Sequence, residues 1–149
     1  MTADFTVDLS QAEALFDKLR ERCQDMRWFW PTVRADYLEM IAEQFNTSGG
    51  RSGGWQPLSP YTVAEKAAAG YGGAPIMQRT RDLIGSLMLG GPMSVEVLAP
   101  DYLKLGTAVP YAPIHQYGGG NVPERPLIAV TDADGKRWAD MLAGRLLED

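Results

Sequence analysis

One histidine and one cysteine are the only side chains here that react or titrate readily near neutral pH. A general base at His115 needs a nucleophile and an acid at a recognisable spacing. No serine stands in the strand–turn–helix setting of a nucleophile elbow, and no acid is in register with His115. One His and one Cys are too few for a zinc-type site, and no carboxylate pair joins either at metal spacing. Cys23 alone cannot form an internal disulfide. The run Asn46-Thr-Ser-Gly-Gly-Arg-Ser-Gly-Gly54 lacks the Lys-Ser/Thr of a phosphate-binding loop and follows a helical pattern, not a strand. The sequence predicts no catalytic residue, no cofactor and no metal.

His115 belongs to the most distinctive stretch, Tyr111-Ala-Pro-Ile-His-Gln-Tyr-Gly-Gly-Gly-Asn-Val-Pro-Glu-Arg-Pro126. Pro110 and Pro113 fix φ at the start of a short helical turn. Gly118, Gly119 and Gly120 open backbone angles closed to other residues. Pro123 and Pro126 bias Val122 and Arg125 towards extended conformations. A short helix, an exposed loop over 118–123 and a stiff return are expected. Beside the aromatic Tyr111 and the glycines, His115 is read as structural, ordering the loop through a backbone hydrogen bond. Arg125 is read either as a solvated charge or as the group that holds the loop's base through charge-assisted bonds.

The elements before this stretch are written in period and punctuation. Ser10-Gln-Ala-Glu13 has the form of a capping box. Ala12, Leu15, Phe16, Leu19, Cys23 and Met26 recur at steps of three and four, predicting a helix from Ser10 to Arg27 with Cys23 as an inert buried thiol. Trp28-Phe-Trp-Pro31 interrupts it. Pro31 suits the first turn of a second helix running to about Phe45. The pair forms a helical hairpin whose aromatic corner packs in a core or between subunits rather than stacking on bases. The glycine run from 46 to 54, with Arg51 inside it, reads as a mobile arm that orders on a partner. Trp55 ends it, either packing inward or serving as an interface hot spot.

Ser59-Pro60 starts a short helix to Ala69. Thr80 caps another, with Leu83, Ile84, Leu87 and Met88 on its buried side. Met93–Leu98 and Tyr102–Thr107 alternate and are joined by a Pro100-Asp101 turn, predicting an antiparallel hairpin. Arg125 to Thr131 is a candidate third strand. Trp138, Met141, Leu142 and Leu146 mark a C-terminal amphipathic helix over about 133–147. The fold class is α+β: N-terminal helical hairpin, broken central helices, small antiparallel sheet and C-terminal helix, in a single domain over 1–149.

Tyr111-Ala-x-Ile-His-Gln-x-Gly-Gly followed by Pro123-x-Arg-Pro126 resembles the signature of the phage virion morphogenesis family, the tail completion proteins related to protein G of phage Mu. Gly54-Trp-Gln-Pro-Leu-Ser59, leading to Thr62 and Lys66, resembles that family's central tryptophan loop. Ile76-Met-Gln-Arg-Thr-Arg-Asp-Leu83 resembles its next block, with Arg81 where the family usually has glycine. The resemblance implies a structural protein of the head–tail neck, not an enzyme. It implies a closed ring of identical subunits, suggested as a hexamer, that joins tail to head. Its partners would be copies of itself and neighbouring tail tube or head connector proteins. Arg51, Trp55, Tyr111, His115, Gln116, Gly118, Gly119 and Arg125 are the interface candidates. The alternative is a head-side stopper or connector, or a morphogenesis factor absent from the mature particle.

Composition agrees with such a role. The net charge is −5, with 19 acids against 14 bases, so the broad basic face of a nucleic-acid binder is not expected. An acidic wall would let DNA pass through a ring without sticking, since phosphate contacts depend on Lys and Arg. No apolar run reaches the ~20 residues of a membrane helix, and residues 2–8 do not read as a signal peptide. The expected location is the virion neck or tail, after assembly in the host cytoplasm.

Overall fold

The computed structural model describes residues 6–148. Six helices and a two-stranded antiparallel sheet occur among them. The order is α1 (Ser10–Gln24), α2 (Trp30–Asn46), α3 (Pro60–Ala68), α4 (Asp82–Leu87), β1 (Ser94–Leu98), β2 (Leu103–Thr107), α5 (Ala112–Tyr117) and α6 (Asp132–Leu146).

α2 is the spine. Tyr37, Ile41 and Phe45 recur on one face and are buried with Trp55, Leu83, Leu87, Val109, Ala112 and Leu127 in one apolar cluster. This is ordinary one-sided helix burial. α6 lies against α2 through Asp36, which accepts from Arg137 (2.6 Å) and from the Trp138 indole (2.5 Å). Thr131 starts α6 with a reciprocal capping box: its hydroxyl accepts from the Asp134 N–H, and the Asp134 carboxylate accepts from the Thr131 N–H.

Other starts are built differently from their sequence signals. α3 is capped as expected, Ser59 accepting from the Thr62 N–H at 3.1 Å. α1 has no side-chain cap from Ser10, which lies inside the helix; the Asp8 carboxylate accepts from the Ser10 N–H instead. α1 stops at Gln24, short of Arg27, because the Asp25 side chain accepts from the Arg27 N–H and turns the chain into a short 3-10 turn. At α4 the capping position is Arg81, in left-handed conformation, rather than Thr80.

The antiparallel hairpin forms as expected, with Ser94 opposite Thr107 through Leu98 opposite Leu103. The third strand is absent: residues 125–131 form none. Pro126 has no N–H for a ladder, and neighbouring backbone groups pair with side chains. The Leu127 and Ile128 N–H groups donate to Gln116 Oε1, and the Ile128 carbonyl accepts from Gln116 Nε2. The Pro126 carbonyl accepts from Gln44 and from Trp55. Side-chain amides stand where a strand would.

The helical hairpin is only partly formed. The aromatic corner is firm: Phe29 is buried, Trp30 donates to the Ala99 carbonyl, and Trp28 donates to the Arg22 carbonyl. Yet no residue of α1 is buried. Cys23 is therefore exposed rather than buried.

Candidate functional site

The glycine-rich run after α2 is not a free arm. Its C-terminal half folds into a 3-10 turn, Gly50–Ser52, between two left-handed glycines. Gly49 must be glycine: its φ is +89°, and a Cβ there would lie 2.4 Å from the Trp55 ring. Gln44, fully buried, organises the turn. Its amide donates to Ser52 Oγ and the Pro126 carbonyl, and its oxygen accepts from the Arg51 N–H. Ser52 has the letters of a nucleophile elbow, Gly50-Arg-Ser-Gly-Gly54, without its architecture. It follows a helix, and its hydroxyl is held by Gln44 and the Gly49 carbonyl.

Arg51 is likewise turned inward. It pairs with Asp134 at 2.6 Å and Glu43 at 2.7 Å, and donates to the Ala129 carbonyl. Asp134 is almost fully buried. Burial alone would raise its pKa, but bonds from the Thr131 N–H and hydroxyl, then Arg51 and Arg137, outweigh this and hold it well below the usual carboxylate range. The arm expected to order on a partner is ordered on its own α6.

Trp55 resolves inward. It packs edge-on against Phe45 at 5.1 Å between centroids, and its indole donates to the Pro126 carbonyl at 2.8 Å. Arg125 is buried too and has no carboxylate partner among the described residues. Its guanidinium donates to the Gln56 (2.8 Å) and Pro57 (3.2 Å) carbonyls, and its N–H donates to the His115 carbonyl. It clamps the tryptophan loop to the end of α5 rather than holding its own loop. Gln116 is occupied with residues 127 and 128. Arg51, Trp55, Gln116 and Arg125 thus hold the protomer together in this conformation.

The second glycine loop stays on the surface. Gly119 and Val122 exchange two backbone hydrogen bonds, closing a tight turn that leaves Gly119 and Gly120 exposed, with Tyr117 beside it 77% exposed. Gly118 has φ +69°, and a Cβ there would meet the Glu124 backbone at 3.0 Å, so the loop's base requires glycine.

His115 and Tyr111 face a cleft of about 500 Å³. The rings meet edge-on at 6.0 Å. His115 Nδ1 is buried without a hydrogen-bond partner among the described residues, and it is the residue's backbone carbonyl that closes the loop's base by accepting from the Arg125 N–H. Burial, then the charge of Arg125, lowers the His115 pKa and favours the neutral ring. The same cleft is lined by Lys66, Arg79 and Arg81. Lys66 donates to the Ala74 and Pro75 carbonyls, and Arg79 lies 4.8 Å over the Tyr71 ring. The three motif blocks quoted from the sequence converge here.

Sequence reasoning missed Gln44, Asp134 and this cationic wall. Gln44 had a readable signal, a polar residue in the apolar register of α2. Arg79-Thr-Arg81 was visible as a basic pair. Asp134 had the capping-box spacing Thr131-x-x-Asp134 to mark a helix start, but its burial had no signal, since that depends on Arg51 arriving from far along the chain.

No curated protein and no solved structure matches the chain. A model of the phage virion morphogenesis family matches residues 7–147. That span holds α1 through α6 and every residue of the cleft, and on it the chain belongs to the phage virion morphogenesis family.

Proposed function

We propose that this chain is a ring-forming subunit of the head–tail neck, a tail completion protein that joins tail to head by docking rather than by turnover. Its partners are further copies of itself and the adjoining tail tube or connector proteins, with DNA passing through the ring without sequence-specific contact. It acts in the virion after assembly in the host cytoplasm.

The observation that supports this reading is α1. Its apolar row is intact in sequence and unburied in the protomer, with Leu15 46% and Phe16 65% exposed. An isolated helix of this length is marginal in water, and most helical stability comes from a packed apolar face. A partner molecule supplies that face, and in a closed ring it is the next copy, meeting a different patch through a heterologous contact.

The test is the mass of the purified chain by light scattering, wild type against Leu15→Ser/Phe16→Ser. The expected result is a closed oligomer for the wild type and a folded monomer with an unchanged melting temperature for the variant. Particles made without the protein should separate into full heads and tails. Unfilled heads would instead favour a head-side stopper.

A further inference from the structure

α1 is tied to its own protomer at one end. Arg22 donates to the Glu148 carbonyl at 2.8 Å, and its guanidinium lies 4.4 Å over the Trp28 ring, whose indole donates to the Arg22 carbonyl. This pins the last turn of α1 to the end of α6. Residues 10–18 are all exposed. Leu15 and Phe16 therefore project roughly 10 Å beyond the pin, at 1.5 Å of rise per residue. The helix carries three acids, Glu13, Asp17 and Glu21, against three bases, Lys18, Arg20 and Arg22. Asp17 already pairs with Arg20 at 2.8 Å. α1 offers a partner an apolar row and no net charge.

A surface of the same character lies between α2, β2 and α6. Phe29, Trp30, Leu105, Val130, Trp138 and Leu142 line a groove of about 450 Å³ whose walls hold no charged residue among the described residues. Both indoles are already engaged, Trp30 donating to the Ala99 carbonyl and Trp138 to Asp36. The Tyr37 hydroxyl, also of this groove's lining residues, is buried without a partner among the described residues. An occupant needs apolar bulk and no charge. Met26, the last member of the α1 row, lies in the groove's wall, so row and groove border one another.

We propose that α1 of one copy docks in this groove of the next, with Leu15, Phe16 and Leu19 against its aromatic and leucine walls. This rests on the ring reading above and names the contact. The pin leaves residues 10–18 exposed and the groove of the same protomer open, so the occupant is a second copy. Row on one side and groove on the other make the contact heterologous, as ring closure requires. Two other concave surfaces fit worse. The cleft beside His115 holds Lys66, Arg79 and Arg81 against Asp82 alone, and the groove beside Tyr117 holds Lys104 and Gln116. Covering either with a neutral apolar helix strips water from groups that α1 does not answer.

Ala139 lines the groove and is exposed on α6, so Ala139→Glu places a charge there without touching the core. Its melting temperature should stay within about 2 °C of wild type. Association of the full-length chain is measured by sedimentation. The expected result is association weakened roughly tenfold or more by Ala139→Glu and unchanged by Arg79→Glu/Arg81→Glu. In a Cys23→Ser background, Leu15→Cys copies mixed with Ala139→Cys copies should be joined by a short bismaleimide. If Ala139→Glu assembles at wild-type strength while Leu15→Ser/Phe16→Ser does not, the groove is refuted and the ring survives. A wild type that stops at a dimer, with the same cross-link, refutes the ring and keeps the contact. A wild type that stays monomeric at every concentration refutes both. A chain carrying both new cysteines that cross-links within itself at high dilution, with no cross-link between mixed copies, overturns the proposal in favour of α1 closing over its own groove.

Discussion

Replacing Trp55 with alanine should unfold much of this protein's margin rather than detach a partner. The side chain is 6% exposed and packs on Phe45, and its indole donates to the Pro126 carbonyl. That carbonyl also accepts from Gln44 at 2.6 Å, so the variant leaves no orphaned acceptor. The loss is transfer energy plus the cavity, about 3–5 kcal/mol for a buried tryptophan. A domain of this size has roughly 5–15 kcal/mol in total. At about 2–4 °C per kcal/mol, the melting temperature of the isolated chain should fall by about 6–20 °C. Trp55→Phe, which keeps most of the ring and loses only the N–H bond, should cost about 1–2 kcal/mol. Thermal unfolding followed by circular dichroism gives both values. The reasoning fails if Trp55→Ala melts within about 3 °C of wild type yet no longer assembles, for then the ring faces a partner.

Gly49→Ala should be nearly as damaging, by at least ~2 kcal/mol, since it combines a left-handed φ with a Cβ driven into the Trp55 ring; denaturant midpoints at constant slope would show it. Asp134→Asn should destabilise by roughly 3 kcal/mol at neutral pH, because it weakens a buried ion pair. The wild-type carboxyl is held below its ordinary value of 3.8, so its contribution is complete above that pH and is lost as pH falls below it. The Asn variant should therefore have a flatter acid limb in a melting-temperature profile. His115 has a pKa depressed from 6.5 mainly by burial, so folding favours the neutral ring, and the stability it contributes is whole above 6.5 and declines below. As the only histidine it makes this slope attributable, and His115→Gln should remove it.

Much of the architecture is local and was legible for that reason. The apolar period of α2, the Ser59 cap and the Pro100-Asp101 turn each act over a few residues and form as written, and the strand over 94–98 forms too, though Val97 is exposed like Glu96. The three glycines after Tyr117 announce a flexible exposed loop through their backbone freedom; that it closes as a tight turn between Gly119 and Val122 is seen only in the structure. The third strand was misread because alternation cannot tell whether a segment's N–H groups will meet another strand. Here Gln116 Oε1 accepts from the Leu127 and Ile128 N–H groups first, and the Gln44 amide takes the Pro126 carbonyl. The same limit applies to the glycine run after α2. Composition alone says flexible, but a buried glutamine and an arginine paired with a distant aspartate tie it down.

On its own, the chain's order of residues determined the helices, the hairpin and the family, because those depend on spacing and on backbone angles that particular residues permit. Only the tertiary structure decided that Trp55, Arg51 and Arg125 point inward and that α1 keeps its apolar row exposed. It also decided that Lys66, Arg79, Arg81 and His115 share one cleft. The physical reason is that burial and charge pairing are set by which distant surfaces meet, and a side chain's role follows from its neighbours in space rather than in sequence.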